Sequence, residues 1–182
     1  MAFPKVGNLA PKFSLSDHEG NTVSLADFKG KSAVVVYFYP KAMTPGCTMQ
    51  AQGLRDSAKA LKGLSTVVLG ISPDPVKKLA KFVERDELNF QLLSDEDHAT
   101  ADKYGAWGPK KFMGREFDGI LRTTFIVGKD GKLKAVMDKF KTKDHHTELL
   151  ATLKGPGSGL SRFCSLARAR LSFARSAGVV QW

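Results

Sequence analysis

Cysteine is scarce in this chain: Cys47 and Cys164 are the only two in 182 residues. So few exclude a disulfide-stapled scaffold and a metal site made of cysteine alone. No apolar run approaches the roughly 20 residues that a membrane-spanning helix requires, so no membrane partner is expected. Met1-Ala2-Phe3-Pro4-Lys5 and the polar residues leading to Pro11 lack the apolar stretch of a secretory leader, and a cytoplasmic setting is the expectation. Acids are missing from Gly155 onward, where Arg162, Arg168, Arg170 and Arg175 hold +4 of the formal net charge of +10. Before that point lysines are spread between acids. No basic run interleaved with aromatics offers the stacking surface that single strands take, so nucleic acid is not an expected partner. His145 and His146 are adjacent, hence directed apart on a helix, and no third ligand stands at a suitable spacing. Neither a metal nor a cofactor is expected.

What is present fits one ordinary domain with a real core: 42% of residues are hydrophobic and 25% charged. Phe13–Ser16 and Thr22–Leu25 alternate around His18-Glu19-Gly20-Asn21, a hairpin pattern. Ala33–Tyr39 is continuously β-branched and aromatic until Pro40, which implies a strand buried on both faces. A helix is predicted from Pro45 or Gly46 to Leu61, with Met49, Leu54 and Leu61 as apolar positions and Gly63 as its stop. The pattern repeats with a strand over Thr66–Ile71 and a helix capped by Asp74-Pro75 that runs to about Glu84. Gln91–Leu93 reads as a strand and Asp95–Tyr104 as a helix. Ile120–Val127 and Lys132–Met137 form a hairpin about Gly128–Gly131, and Asp144–Leu153 closes as a helix. The expectation is an α/β fold with a mixed central sheet flanked by helices over residues 1–154. Residues 155–182 read as a glycine-rich linker, Gly155–Gly159, and a basic C-terminal tail expected to be disordered or loosely docked.

A lone intracellular cysteine is either buried filler or a chemical tool. The neighbours of Cys47 favour the tool. It follows a buried strand and starts a helix, where unpaired N–H groups and the helix dipole favour thiolate over thiol. Thr44 lies three residues earlier, within reach of the sulfur or of an oxygen bound to it. Pro40 and Pro45 fix φ on either side of the turn, which stiffens the loop and shields the sulfur. A thioredoxin-type exchanger would need a second cysteine three residues on, and that position is Gln50.

Tyr37-Phe38-Tyr39-Pro40 through Cys47, continuing to Asp56, resembles the active-site signature of the peroxiredoxins, most closely the bacterioferritin comigratory protein or peroxiredoxin Q branch. Its pattern of proline, three residues, threonine, two residues and cysteine is met at every position. Gly70-Ile71-Ser72, Leu93-Ser94-Asp95 and Gly119–Phe125 extend the similarity over roughly residues 5–154. The resemblance implies a thioredoxin-like fold and a thiol-dependent peroxidase, an antioxidant oxidoreductase that reduces hydrogen peroxide and organic hydroperoxides. By position, Cys47 would be the nucleophile that becomes a sulfenic acid. Thr44 would orient the peroxide, Pro40 would shield the pocket, Arg122 would supply a guanidinium, and Gln50 would support that arginine. Many members of the branch carry a resolving cysteine where this chain has Gln52, and others on the next helix, where Ala80–Asp86 has none. The resemblance then implies a one-cysteine enzyme whose reductant is an external thiol: thioredoxin, glutaredoxin or glutathione.

Other residues keep plainer readings. His18 and His98 read as solvated, Lys110-Lys111 as a solvated run, and Trp107, Phe112, Met113 and Phe117 as either a substrate rim or loop anchors. A peroxide sensor that relays oxidation from Cys47 to a partner stays open beside the peroxidase. An idle partner-binding module is disfavoured by the complete Pro/Thr/Cys/Arg set.

Overall fold

The computed structural model describes residues 2–155. The expected linker and tail lie outside the described residues apart from Gly155, and so does Cys164.

Nine strands and five α-helices are described. The N-terminal hairpin joins β1 (Ser14–Asp17) to β2 (Thr22–Ser24). The apolar run becomes β3 (Ala33–Phe38) and is followed by α1 (Pro45–Asp56), α2 (Ala58–Gly63), β4 (Thr66–Ser72), α3 (Val76–Asp86) and β5 (Gln91–Ser94). Then come α4 (Ala99–Lys103), β6 (Trp107–Phe112), β7 (Arg115–Ile120), β8 (Thr123–Val127), β9 (Leu133–Met137) and α5 (His145–Lys154). Seven strands form one sheet in the order β2-β1-β5-β4-β3-β8-β9, while β6 and β7 pair only with each other. β3 runs parallel to β4 and antiparallel to β8, so the sheet is mixed, with two parallel steps from β3 through β4 to β5. This is the thioredoxin-like α/β architecture.

Alternation along β3 builds both halves of the core. Val34, Val36 and Phe38 face a cluster with Leu69, Ile71, Leu93, Tyr104 and Phe125. Val35, Tyr37 and Tyr39 face the other, where Ala51 and Leu54 of α1, Leu79 and Phe82 of α3 and Leu149 of α5 cover the sheet. Burial on both faces is what the unbroken apolar run of residues 33–39 requires. Pro40 then ends the ladder, because it has no N–H to donate. No helix of the described residues is long and apolar enough to cross a membrane.

Several expected boundaries move. The helix expected over 45–61 is two: the Ser57 N–H reaches the carbonyls of both Gly53 and Leu54, ending α1, and α2 restarts at Ala58. No glycine or proline marks that break. The left-handed residue after α2 is Ser65 (φ 49°) rather than Gly63. Met49, read as a core position, is exposed, and Ala51 takes the inward place. Asp74 does not cap α3, whose N-cap is Pro75 without a side-chain bond. The helix expected from Asp95 is only Ala99–Lys103, which Asp95 serves from a distance by accepting from the N–H groups of Thr100 and Ala101 (3.1 and 2.9 Å). The β6–β7 hairpin has no counterpart among the elements expected from the sequence; it turns at Met113 and Gly114, φ 50° and 78°, the sign pattern of a two-residue type I′ turn.

Candidate active site

The site gathers where β3 ends, where α1 begins and where the chain passes from β7 to β8. Cys47 stands in the first turn of α1 with 2% of its surface exposed. The first helical bond runs from the Thr48 N–H to the Thr44 carbonyl (2.8 Å), so the N–H groups of Gly46 and Cys47 have no partner within the helix. Pro45 at the first helical position has no N–H to strand there.

The loop before the helix is held by several contacts at once. Ala42 N–H donates to Asp74 Oδ2 (2.7 Å), and Asp74 also accepts from the Ser72 hydroxyl (3.1 Å). Lys78, one turn along α3, pairs with the other carboxylate oxygen. These bonds over-determine Met43, which sits at φ 64°, a conformation costing a non-glycine residue about 1–2 kcal/mol. Its side chain packs against the α1-side core, which offsets part of that cost. Pro40 is half-buried between strand and loop.

Arg122 is delivered from the opposite side. The stretch read as one strand from Ile120 to Val127 is broken at Leu121-Arg122, because the Leu121 N–H turns to the Ala106 carbonyl (2.7 Å). Off the ladder, Arg122 extends Nη2 to within 3.3 Å of Cys47 Sγ and donates through Nη1 to Gln50 Oε1 (2.5 Å). Cys47 and Gln50 are one turn apart on α1, so one planar guanidinium spans both. Nη2 also lies over Gly46, where an added Cβ would stand 3.6 Å from it.

Of the sequence-predicted residues, Cys47, Arg122 and Gln50 are joined by direct contacts, while Pro40 and Thr44 stand on the loop that leads into α1. The Thr44 hydroxyl donates to the Lys41 carbonyl (2.9 Å) rather than to the sulfur. Its lone pairs stay open to a donor, such as the O–H of a hydroperoxide. A sulfur with a cation at hydrogen-bond distance, helix N–H groups at its back and a hydroxyl acceptor nearby can act as a nucleophile toward a polar O–O bond.

Beneath the sulfur lies a polar seam that sequence reasoning missed. Tyr37 and Tyr39 stack with ring centroids 5.4 Å apart, and burial pushes both phenols well above their ordinary pKa. His145 is fully buried; its Nε2 shares a 2.9 Å hydrogen bond with the Thr124 hydroxyl, and burial pulls its pKa down to about 3. Tyr37 OH, Tyr39 OH, Gln50 Nε2 and His145 Nδ1 are buried without a hydrogen-bond partner among the described residues. Tyr37 and Tyr39 stand two apart in the extended run of residues 33–39 and so share a face, which is the one sequence signal for the stack; the adjacency of His145 and His146 carries no signal of burial.

The expectations for His98 and Lys110 need correction. His98 is not simply solvated: its ring stacks on Trp107 at 3.9 Å and 4°, and it contacts Asp102 at 3.1 Å. His18 is half-buried, with Nδ1 3.4 Å from the Leu92 amide. Lys111 is a solvated lysine, but Lys110 is half-buried and donates to the Ile120 carbonyl (2.7 Å). Trp107 anchors the hairpin through that stack, Met113 is exposed at its tip, and Phe117 is half-exposed. Gln52, at the expected resolving position, donates to Asp86 Oδ1 (3.0 Å) at the end of α3.

With this geometry in hand, comparison with known proteins is direct. Residues 6–136 match the model of the AhpC/TSA family. The chain is 55% identical to the peroxiredoxin Bcp of Escherichia coli over 150 residues, covering 82% of this chain and 96% of that protein. Among solved structures it is similar to the peroxidoxin BcpB of Mycobacterium tuberculosis (TM-score 0.73, 36% identity, 82% of this chain and 96% of that one). It is also similar to a Xanthomonas campestris bacterioferritin comigratory protein studied for alkyl peroxide reduction (TM-score 0.74, 30% identity, 78% and 90% covered).

Proposed function

The chain belongs to the AhpC/TSA family, in its Bcp/peroxiredoxin Q branch, and is a thiol-dependent peroxidase; from that premise we propose that Cys47 is the reacting thiol of a one-cysteine cycle. The observation that carries this reading is the Arg122 guanidinium 3.3 Å from Cys47 Sγ. The thiolate attacks one oxygen of a hydroperoxide. An S–O bond forms as the O–O bond breaks, and the second oxygen leaves as hydroxide or alkoxide and takes up a proton. Sulfur is oxidised by two electrons to a sulfenic acid and the peroxide is reduced to water or an alcohol.

Arg122 stabilises the negative charge as it passes from sulfur to the leaving oxygen, and Gln50 holds its plane. Thr44 accepts from the peroxide O–H, and Pro40 keeps bulk water from the sulfur. Hydrogen peroxide and organic hydroperoxides are both proposed as substrates, the latter in line with the alkyl peroxide reduction studied in the Xanthomonas campestris relative.

Gln52 supports external resolution: the position holds an amide tied to Asp86 instead of a thiol. An external thiol, from thioredoxin, glutaredoxin or glutathione, attacks the sulfenic sulfur and releases water. A second thiol then frees Cys47 and leaves as a disulfide. Such reductants are cytoplasmic, and that is the proposed setting. The proposed division is a catalytic domain over residues 1–154 and an appended basic segment over 155–182. Peroxide consumption with each reductant tests the cycle. Cys47→Ser is expected to abolish it with the circular dichroism spectrum unchanged, because a serine hydroxyl cannot replace a thiolate at neutral pH. Near wild-type turnover in that variant would refute the assignment. Oxidised Cys47 passing its oxidation to a partner protein is the second reading, which the same geometry favours equally.

A further inference from the structure

Lys110 occupies a position that a merely solvating lysine would not. Its strand partner across the hairpin is Phe117, yet its ammonium donates to the carbonyl of Ile120, three residues further along β7. To get there the stem runs along the hairpin over Gly119, where an added Cβ would stand 3.4 Å from Lys110 Cδ and 3.4 Å from Phe117 Cε2. Lys111 next door points outward, its side chain 69% exposed and 3.7 Å from Glu116. Lys110 has no carboxylate partner among the described residues. A half-buried cation paired only with a carbonyl is costly to keep, and more so beside a second cation.

We infer that Lys110 is a positioning residue of the Cys47 site: it holds the β7 end that delivers Arg122 and adds a second positive charge to the field at the sulfur. Ile120, whose carbonyl it grips, is two residues before Arg122, so the ammonium restrains the start of the segment that reaches Cys47. Burial lowers the pKa of Lys110 and the Arg122 guanidinium lowers it further, while Cys47 acts in the opposite direction. The ammonium stands 2.7 Å from the carbonyl two residues before Arg122, whose guanidinium lies 3.3 Å from Cys47 Sγ, so both cations sit at the one short segment that reaches the sulfur. Sited there, it favours negative charge on the sulfur before attack and on the leaving oxygen after it. This deepens the reading of Cys47 as the reacting thiol and rests on it.

The test reads the field at the sulfur directly. The full-length protein is alkylated with iodoacetate, an anion, and with neutral iodoacetamide, and the rate at the Cys47 peptide is followed by mass spectrometry. A cation near the sulfur raises the iodoacetate-to-iodoacetamide rate ratio, whereas a purely structural change alters both rates together. Lys110→Gln keeps a donor for the Ile120 carbonyl but loses the charge, and the ratio is expected to fall by about threefold or more. Lys110→Arg should restore it, and Lys111→Gln should leave it unchanged. Lys110→Met, which also keeps the stem over Gly119, should lower the ratio as Gln does and slow peroxide reduction further by freeing the Ile120 carbonyl. Thermal unfolding checks that each variant is folded. An unchanged ratio in folded Lys110→Gln and Lys110→Met, or an equal fall in Lys111→Gln, would overturn the inference. Alkylation reports on Cys47 whether or not the protein turns over peroxide, so failure of this inference is separable from failure of the peroxidase mechanism, which Cys47→Ser tests.

Discussion

Arg122 reaches the sulfur because two unrelated restraints converge on it. Gln50, one turn beyond Cys47 on α1, accepts from one guanidinium nitrogen, and the break at Leu121-Arg122 takes the residue off the sheet. Neither restraint alone would aim a long, rotamer-rich side chain at a buried atom. Replacing Arg122 by methionine keeps volume and removes charge and donors. Peroxide reduction is then expected to slow more than tenfold, at least ~1.4 kcal/mol in the barrier, read by single-turnover kinetics. Unchanged kinetics would remove Arg122 from the site. Gln50 and Arg122 fall in the stretches up to Asp56 and over Gly119–Phe125 that resemble the family, so the resemblance made them legible. The polar seam under Cys47 was hidden for the converse reason: Tyr37 and Tyr39 read as part of an apolar run, and nothing in that run says which face meets α1.

Among the secondary elements, α5 and β4 carry the site without contributing a predicted residue to it. α5 is docked by His145, whose ring is neutral in the fold because burial lowers its pKa from 6.5 to about 3. The unfolded chain takes up that proton first as pH falls. The stabilisation tied to the neutral ring is therefore complete above about pH 6.5 and erodes as pH drops toward 3, by roughly 1.4 kcal/mol per pH unit once well inside that window. Urea unfolding from pH 7 to pH 4.5 should show this slope in the wild type and a flatter one in His145→Gln. Parallel slopes would mean that His145 is not the group responsible. β4 passes beneath the Tyr37 ring at Gly70, where a Cβ would lie 2.7 Å from Leu92 Cδ2 and 2.8 Å from Tyr37 Cε1. Gly70→Ala should cost about 1–3 kcal/mol through overpacking, seen as a lower urea midpoint. A midpoint equal to wild type would show that the ring moves aside freely.

At the scale of the whole molecule, the position that could hold a resolving thiol is instead part of a clasp between helices. Gln52 of α1 donates to Asp86 of α3, Asp86 pairs with Arg85 (2.7 Å), and Arg85 reaches back to Thr48 (3.0 Å), the neighbour of Cys47. With an amide at Gln52 in place of a resolving thiol, peroxide treatment without reductant should leave Cys47 as sulfenic or over-oxidised acid. Intact-mass and peptide mass spectrometry check this. A near-stoichiometric Cys47–Cys164 crosslink within one chain would instead make the C-terminal segment part of the cycle. The sequence by itself determined the α/β class, the buried central strand, the cysteine at a helix start and the family to which it belongs. Each depends on local order: continuous apolarity, prolines at fixed offsets, and a motif contained within eight residues. Only the tertiary structure decided the rest of the sulfur's surroundings: the polar seam of Tyr37, Tyr39 and His145, and the partners of Asp74 and Lys110. Asp74 could cap its own helix or pin the loop at Ala42, and Lys110 could face water or Ile120; the sequence permits both outcomes for each. Packing chooses between them, because a buried N–H or carbonyl must find its partner wherever the fold brings one near.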